Sequence, residues 1–171
     1  MYTIGMDPSL SNWGYVVGKY IVGGFEVCTS GCIQTKIDKK AKKSKKPKNE
    51  QDLERAQVLS KGLKELLKKW KPSEINIELP VGSQSSRAQT SYGICLGVFS
   101  QFNVPYTVIR NNQIKALAGK AVGEEVTKQD IINVVKEKGY AYIFEKHKVS
   151  IHEHIADAMG TILVKMKNES F

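Results

Sequence analysis

Three cysteines in 171 residues leave little material for a disulfide framework. Cys28, Cys32 and Cys95 make an odd count at no zinc-like spacing. The chain therefore reads as one with reduced thiols, not as a secreted disulfide scaffold or a zinc module. No apolar run approaches the ~18–20 residues that span a bilayer, which leaves no membrane as an expected partner. The opening Met1-Tyr2-Thr3-Ile4-Gly5-Met6-Asp7 lacks both a basic leader and a long apolar stretch. No secretory signal is expected there, and the expected location is cytoplasmic. There is no internal repeat. One segment is nearly bare of acids: Lys36 to Lys48 holds eight lysines against Asp38 alone.

What is present is enough for a packed core. The hydrophobic fraction is 41%, with seven Tyr, five Phe and two Trp, so wholesale disorder is excluded. At a usual domain size of ~100–200 residues, residues 1–171 are expected to form a single domain. Lysine and arginine number 26 against 17 acids, a net of +9. A balance of this size suggests a polyanionic partner, nucleic acid before membrane. The lysine run supplies most of it. Like charges repel and Pro47 interrupts any helix, so about 36–50 is expected to be a mobile loop.

Residues 2–7 alternate apolar and polar, a strand pattern. Trp13 to Tyr20 and Phe25 to Thr35 look like two more, and short links between the three suggest an antiparallel meander. From Gln51 to Trp70, Leu53, Ala56, Leu59, Leu63, Leu66, Leu67 and Trp70 share one helical face. Asn49 and Asp52 suit an N-cap, and Lys71-Pro72 a stop. Ile75 to Leu79 reads as a strand and Val81 to Arg87 as a polar loop. Ala88 to Phe102 reads as a helix, Tyr106 to Arg110 as a strand and Asn111 to Ala121 as a helix. Thr127-x-x-Asp130 opens a further helix to about Lys138 through a capping box, and Glu153 to Lys167 is the last. The sum is an α/β chain with a mixed sheet and helices on its faces.

Two carboxylates stand out. Asp7 ends the first strand and Glu78 the central one, each close to a proline. Acids are poor strand formers and are almost never buried unpaired. If the two strands are neighbours, these acids converge at one end of the sheet, where a divalent cation would relieve their repulsion. The alternative is a pair of solvated strand ends. At the last helix, His154 and Asp157 are three apart and share a face. Such a pair can ligate a metal, or it can be an ordinary helix start. Small residues there, Ala156, Ala158 and Gly160, would let the helix lie close to the sheet. His147 and His152 read as surface residues. Oxygen ligands plus one histidine favour Mg²⁺ or Mn²⁺ over zinc, and a basic chain with such a site reads as a phosphodiester hydrolase using two ions.

Four segments carry a family likeness. Ile4-Gly5-Met6-Asp7-Pro8-Ser9 with Trp13-Gly14-Tyr15, then Ser30 to Lys36, then Ile77-Glu78 and its loop, then His154-Ile155-Ala156-Asp157-Ala158, occur in order over nearly the whole chain. Together they resemble the RuvC-type Holliday junction resolvases. The resemblance implies a ribonuclease H-like fold, with a mixed five-stranded sheet whose first three strands are antiparallel. It implies a homodimer that cuts four-way DNA junctions, leaving 5′-phosphate and 3′-hydroxyl ends. It makes Asp7, Glu78, His154 and Asp157 the catalytic and metal-binding set, and it gives Lys115 and Lys128 to DNA. The family usually carries an aromatic residue three after the central Glu; here that position is Val81, which weakens the case for strict sequence selectivity. A nuclease of the same site acting on flaps and forks, or a non-catalytic junction binder, are the alternatives. A compact, basic chain of this kind suits a bacterial or phage-infected cell.

The accessory parts follow from that reading. Lys39, Lys40, Lys42, Lys43, Lys45 and Lys46 are expected to meet DNA phosphates, giving affinity without base selectivity; a solvated loop or a targeting signal are the other readings. Ser83, Gln84 and Arg87, in the polar stretch Gly82 to Gln89, are expected near the cut strand. The helix that follows is apolar on both sides, and Gly93 and Gly97 permit close approach. Tyr92, Leu96 and Phe99 are therefore expected to meet the same helix of a second subunit across a two-fold axis.

Overall fold

Strand β1 (Thr3–Asp7) pairs antiparallel with β2 (Asn12–Ile21), which pairs antiparallel with β3 (Gly24–Gln34). The β2–β3 turn passes through Gly23, whose φ of 77° is the left-handed conformation that glycine adopts freely. Strands β4 (Glu74–Glu78) and β5 (Tyr106–Ile109) then join in parallel, so the five-stranded sheet runs β3-β2-β1-β4-β5. The computed structural model describes residues 1–35, 46–79, 82, 85–121 and 124–169. The expected meander, the mixed sheet and its β1–β4 centre are all present.

Helices cover both faces. On one side, α1 (Lys48–Trp70) and α2 (Ser86–Phe99) pack against Ile4, Met6, Trp13, Val17, Ile75 and Ile77 through Leu59, Leu63, Leu66, Cys95, Val98 and Phe99. On the other, α5 (His152–Glu169) lies along the sheet, with α3 (Asn111–Lys115) and α4 (Lys128–Val135) beside it. Val16 and Val17 face opposite cores, as strand alternation requires. Burial on both faces is what lets the short β1 and β4 be almost wholly inaccessible.

Several element boundaries differ from the sequence reading. Helix α1 starts at Lys48 behind Pro47, so Asn49 lies inside it and the end of the expected 36–50 loop is helical. A proline at the cap precedes the hydrogen-bonded turns and so does not interrupt them. The core stripe of α1 is rotated at its start: Asp52 is buried and Leu53 is 61% exposed. The reason is a fork. Arg87 grips Asp52 with both terminal nitrogens, one at 2.7 Å, tying the start of α2 to α1. Helix α2 begins at Ser86 with Ser85 as its cap, which shortens the expected polar loop. Residues 111–121 form a five-residue helix and a 3₁₀ turn, not one helix. The Thr127–Asp130 capping box is present, at 2.7 and 3.3 Å. Helix α4 ends early because the chain turns at Gly139, φ 89°.

His147 and His152 are not simple surface residues. Ser30 gives its hydroxyl hydrogen to the Ile143 carbonyl at 2.9 Å and meets His147 Nε2 at 3.2 Å. His152 donates from Nε2 to the His147 carbonyl at 3.0 Å and packs its ring on Phe144. Both fasten the 141–151 segment to its neighbours. The cysteines are free, with Cys28 exposed, Cys32 half-buried and Cys95 buried. Among the described residues no helix is long and apolar enough to cross a membrane.

Candidate active site

The sheet register sets two acids side by side. Met6 pairs with Ile77 in the parallel β1–β4 ladder, and Asp7 and Glu78 are the next residue of each strand. Both strands end there, at the carboxyl edge of the sheet. Open α/β sheets place their ligands at that edge.

The third acid comes from α5, and glycine admits it. A methyl group on Gly5 would stand 2.2 Å from the Ala158 carbonyl oxygen, and one on Gly14 would stand 2.1 Å from the His154 carbonyl oxygen. The helix backbone therefore rests directly on β1 and β2 where those strands have no side chain. This brings His154 and Asp157 to the end of β1. The small residues on α5 divide their roles. Ala158 lies over the sheet, whereas Gly160 makes room for Ile114 of α3.

His154 Nδ1 is 2.7 Å from Asp7 Oδ2. An ionised carboxylate only accepts, so the ring nitrogen donates. The other ring nitrogen, Nε2, lies 3.5 Å from Glu153 Oε1. Glu78 is buried and accepts from the Asn111 side-chain amide at 2.8 Å through Oε1. Its other oxygen, Oε2, is buried with no partner among the described residues. Burial raises the Glu78 carboxyl, the Asn111 amide opposes that rise, Asp7 adds to it and Lys115 counters it. Asp157 is pushed up to about 8, first by burial, then by the charges of Asp7 and Glu78, with Lys128 opposing. Burial and the neighbouring acids thus disfavour the charged forms of Glu78 and Asp157.

Among the described residues, no three His, Cys, Asp or Glu side chains are drawn in around one common metal position. Asp7 is turned onto His154 and one oxygen of Glu78 onto Asn111. The donor chemistry nevertheless fits a hard divalent cation: an orphaned buried carboxylate oxygen and a set of mutually repelling acids are what such an ion neutralises.

The other expected site residues are distributed around this corner. Lys115 and Lys128 are exposed, and each acts electrostatically on one of the acids; Lys128 is also ion-paired with Glu153. Arg87 is held by Asp52, with 42% of its side chain exposed. Lys46 is ion-paired with Glu54 at the foot of α1. Ser83, Gln84, Val81, Lys39, Lys40, Lys42, Lys43 and Lys45 lie outside the described residues. The three expected interface residues of α2 lie along one stripe but are unequally exposed. Leu96 is 44% exposed, Tyr92 is half-buried near Pro8, and Phe99 belongs to the core, edge-on to Tyr106. The i, i+4, i+7 spacing keeps the three on one side of the helix, and Phe99 differs because the Tyr106 ring covers that end.

Three contributors escaped the sequence reading. Asn111 carries no signal, because its partner is 33 residues away. Gly5 and Gly14 did carry one: glycine inside a strand marks close approach by another backbone. The Asp52–Arg87 fork was hidden because a helical acid reads as solvent-exposed.

Solved structures give the comparison. Thermus thermophilus RuvC in complex with a Holliday junction substrate superposes with a TM-score of 0.68 at 20% identity, over 96% of this chain and 92% of that one. A second T. thermophilus RuvC structure gives 0.61 at 20% identity with the same coverage. The Fowlpox virus resolvase in complex with Holliday junction DNA gives 0.58 at 15% identity, over 98% of each chain. No protein-family model and no curated protein matches the sequence. The structural likeness establishes the fold: this chain has the ribonuclease H-like fold seen in RuvC.

Proposed function

We propose that this chain is a metal-dependent DNA endonuclease that acts on branched DNA, chiefly four-way junctions. The observation that carries the reading is the meeting of Asp7, Glu78 and Asp157 at the carboxyl edge of the two central strands, with His154 hydrogen-bonded to the first. The resolvase complexes that share the fold support the choice of substrate.

Asp7, Glu78, Asp157 and His154 would hold the cations, two Mg²⁺ or Mn²⁺ ions per site. Bound there, the ions would supply charge stabilisation for in-line hydrolysis that leaves 5′-phosphate and 3′-hydroxyl ends. The side chains have their own tasks. Asn111 fixes one oxygen of Glu78 and so aims the other into the site. Asp7 holds the His154 ring by Nδ1, leaving Nε2 either to complete the cation site or to orient the attacking water. Lys115 and Lys128 hold the negative strand against a corner that is itself acidic.

The reading includes a homodimer and a single domain over residues 1–171. On α2, Leu96 faces outward between Gly93 and Gly97, around which a methyl group would meet nothing. Tyr106 and Val108 of edge strand β5 are also exposed. A two-fold axis through this surface would present two sites to two strands of like polarity.

The test is a cleavage assay on a fixed four-way junction, a flap and a linear duplex with Mg²⁺, with Mn²⁺ and with EDTA, mapping cuts on every strand. Paired nicks on opposing strands of the junction, dependent on the metal, are expected. Equal rates on the flap and the junction would widen the substrate class, and no metal-dependent nicking would overturn the enzyme assignment.

A further inference from the structure

Beside the acidic corner lies a cavity of opposite character. It has a volume of about 240 Å³, and its lining begins with the Pro8-Ser9 segment that leaves β1 directly after Asp7. Lys48 and Arg55 of α1 and Arg87 of α2 line it, together with the hydroxyl-bearing Ser9, Ser11 and Ser91. None of the described residues that line it is acidic. Asp52 feels the charges of both Lys48 and Arg55, yet its carboxylate is taken up by the fork of Arg87. Arg55 donates from Nη1 to Ser11 Oγ at 3.3 Å, and its Nε is buried without a partner among the described residues. A buried, unsatisfied guanidinium nitrogen is costly unless an acceptor comes to it. The Ser91 hydroxyl is already given to the Arg87 carbonyl at 3.0 Å, but two cations in surplus, the Ser9 and Ser11 hydroxyls and an orphaned donor around a space of this size match the chemistry of one phosphate group.

We propose that this cavity is a phosphate subsite, in which Lys48 and Arg55 take one phosphodiester of a DNA strand while a neighbouring phosphate of that strand lies at Asp7. The inference rests on the reading of DNA as the substrate and adds the register of the bound strand. Arg87 keeps Asp52 from competing for the two cations. Ser9, two residues beyond Asp7, links the subsite to the candidate catalytic corner.

The experiment measures binding of a fluorescein-labelled fixed four-way junction and a linear duplex in EDTA across a salt series. It compares the wild type with Lys48→Gln, Arg55→Gln, the double Gln variant and Arg55→Lys. The double Gln variant is expected to reduce the slope of log affinity against log salt by roughly 0.9, each single Gln variant by part of that, and Arg55→Lys to keep it. Lys48 is exposed, so its variant stays informative if Arg55→Gln fails to fold. Wild-type slopes in Lys48→Gln and in folded Arg55→Gln would overturn the subsite. Inorganic phosphate that shifts the Ser11 and Ser91 amide resonances, combined with unchanged DNA slopes, would assign the cavity to a free anion and overturn it as well. A wild type that binds junction and duplex equally would remove junction selectivity, while the slope differences would still support the subsite.

Discussion

Gly14 of β2 lies directly beneath the carbonyl of His154, so close that a methyl group there would stand 2.1 Å from the oxygen. The contact sets the height of α5 over the sheet and, through it, the reach of His154 and Asp157. Gly14→Ala is expected to destabilise the protein by about 1–3 kcal/mol, the usual range for overpacking, and to reduce cleavage further than stability alone explains. Gly97→Ala on the outer face of α2 is the contrast within one chain, made in Leu96→Glu protein so that pairing of two copies does not enter. Nothing lies near its added methyl, and a helical Gly→Ala change gains up to about 1 kcal/mol. Urea unfolding of the two variants checks both.

Asp7→Asn keeps the shape of the site and removes its charge. Cleavage of a four-way junction is expected to fall by about 10²–10³-fold or more, with junction binding retained. The nitrogen of His154 should also make Mn²⁺ at least as effective as Mg²⁺. Rate and gel-shift measurements on the same preparation decide the first point, and a metal titration decides the second. Wild-type cutting by Asp7→Asn would remove Asp7 from the chemistry.

The pH dependence has a definite sign. An aspartate in an unfolded chain titrates near about 3.9, whereas Asp157 in the fold is held at about 8. Between those values the folded protein keeps a proton that the unfolded chain has lost, so stability falls as pH rises through this window. Glu78 is raised for the same leading reason and acts in the same direction. Asp52 and Asp130, the latter at about 2, are lowered and lose their contribution only in acid, below this window. In EDTA the Tm should therefore drop from pH 5 to pH 8. Asp157→Asn should flatten the profile, and Mg²⁺ should restore stability at pH 8. A Tm that climbs across that range in EDTA would contradict the crowding of the three acids.

Removing Arg87 leaves Asp52 buried and unpaired. Arg87→Gln is expected to cost about 1–3 kcal/mol, and the double variant with Asp52→Asn should recover part of that loss. Thermal unfolding of the single and double variants gives the coupling. Additive losses would mean that the fork contributes nothing beyond its separate side chains.

Leu96→Glu places a charge on the outward face of α2. If that face joins two copies, sedimentation should find the wild type as a dimer and the variant as a monomer with an unchanged circular dichroism spectrum. A wild-type dimer that survives Leu96→Glu would move the interface elsewhere.

Much of the fold was legible because each strand carries its own period. Ile4 and Met6, or Ile75 and Ile77, announce a core face without help from distant residues. Asp7 and Glu78 were legible as candidates because each is an acid in an apolar strand, and Asp157 through its spacing from His154 and the family resemblance. What the sequence could not supply was rotation and reach. Phe99 shares its stripe with Tyr92 and Leu96, but its cover was decided by the Tyr106 ring against which it packs. Leu53 fitted the apolar stripe of α1, yet Asp52 took the buried place because Arg87 met it from another helix. Asn111 became part of the site only when β5 ran alongside β4. In each case the deciding partner is remote along the chain, and no local pattern encodes it.

The glycine floor beneath α5 has a consequence for descent. Chains that diverge from this one can change most of their core by trading one apolar residue for another. At positions 5 and 14 even a single methyl lifts the helix and withdraws its acid from the other two. These two sites are thus a quick diagnostic: a relative with larger residues at both has given up this arrangement, whatever else of the architecture it retains.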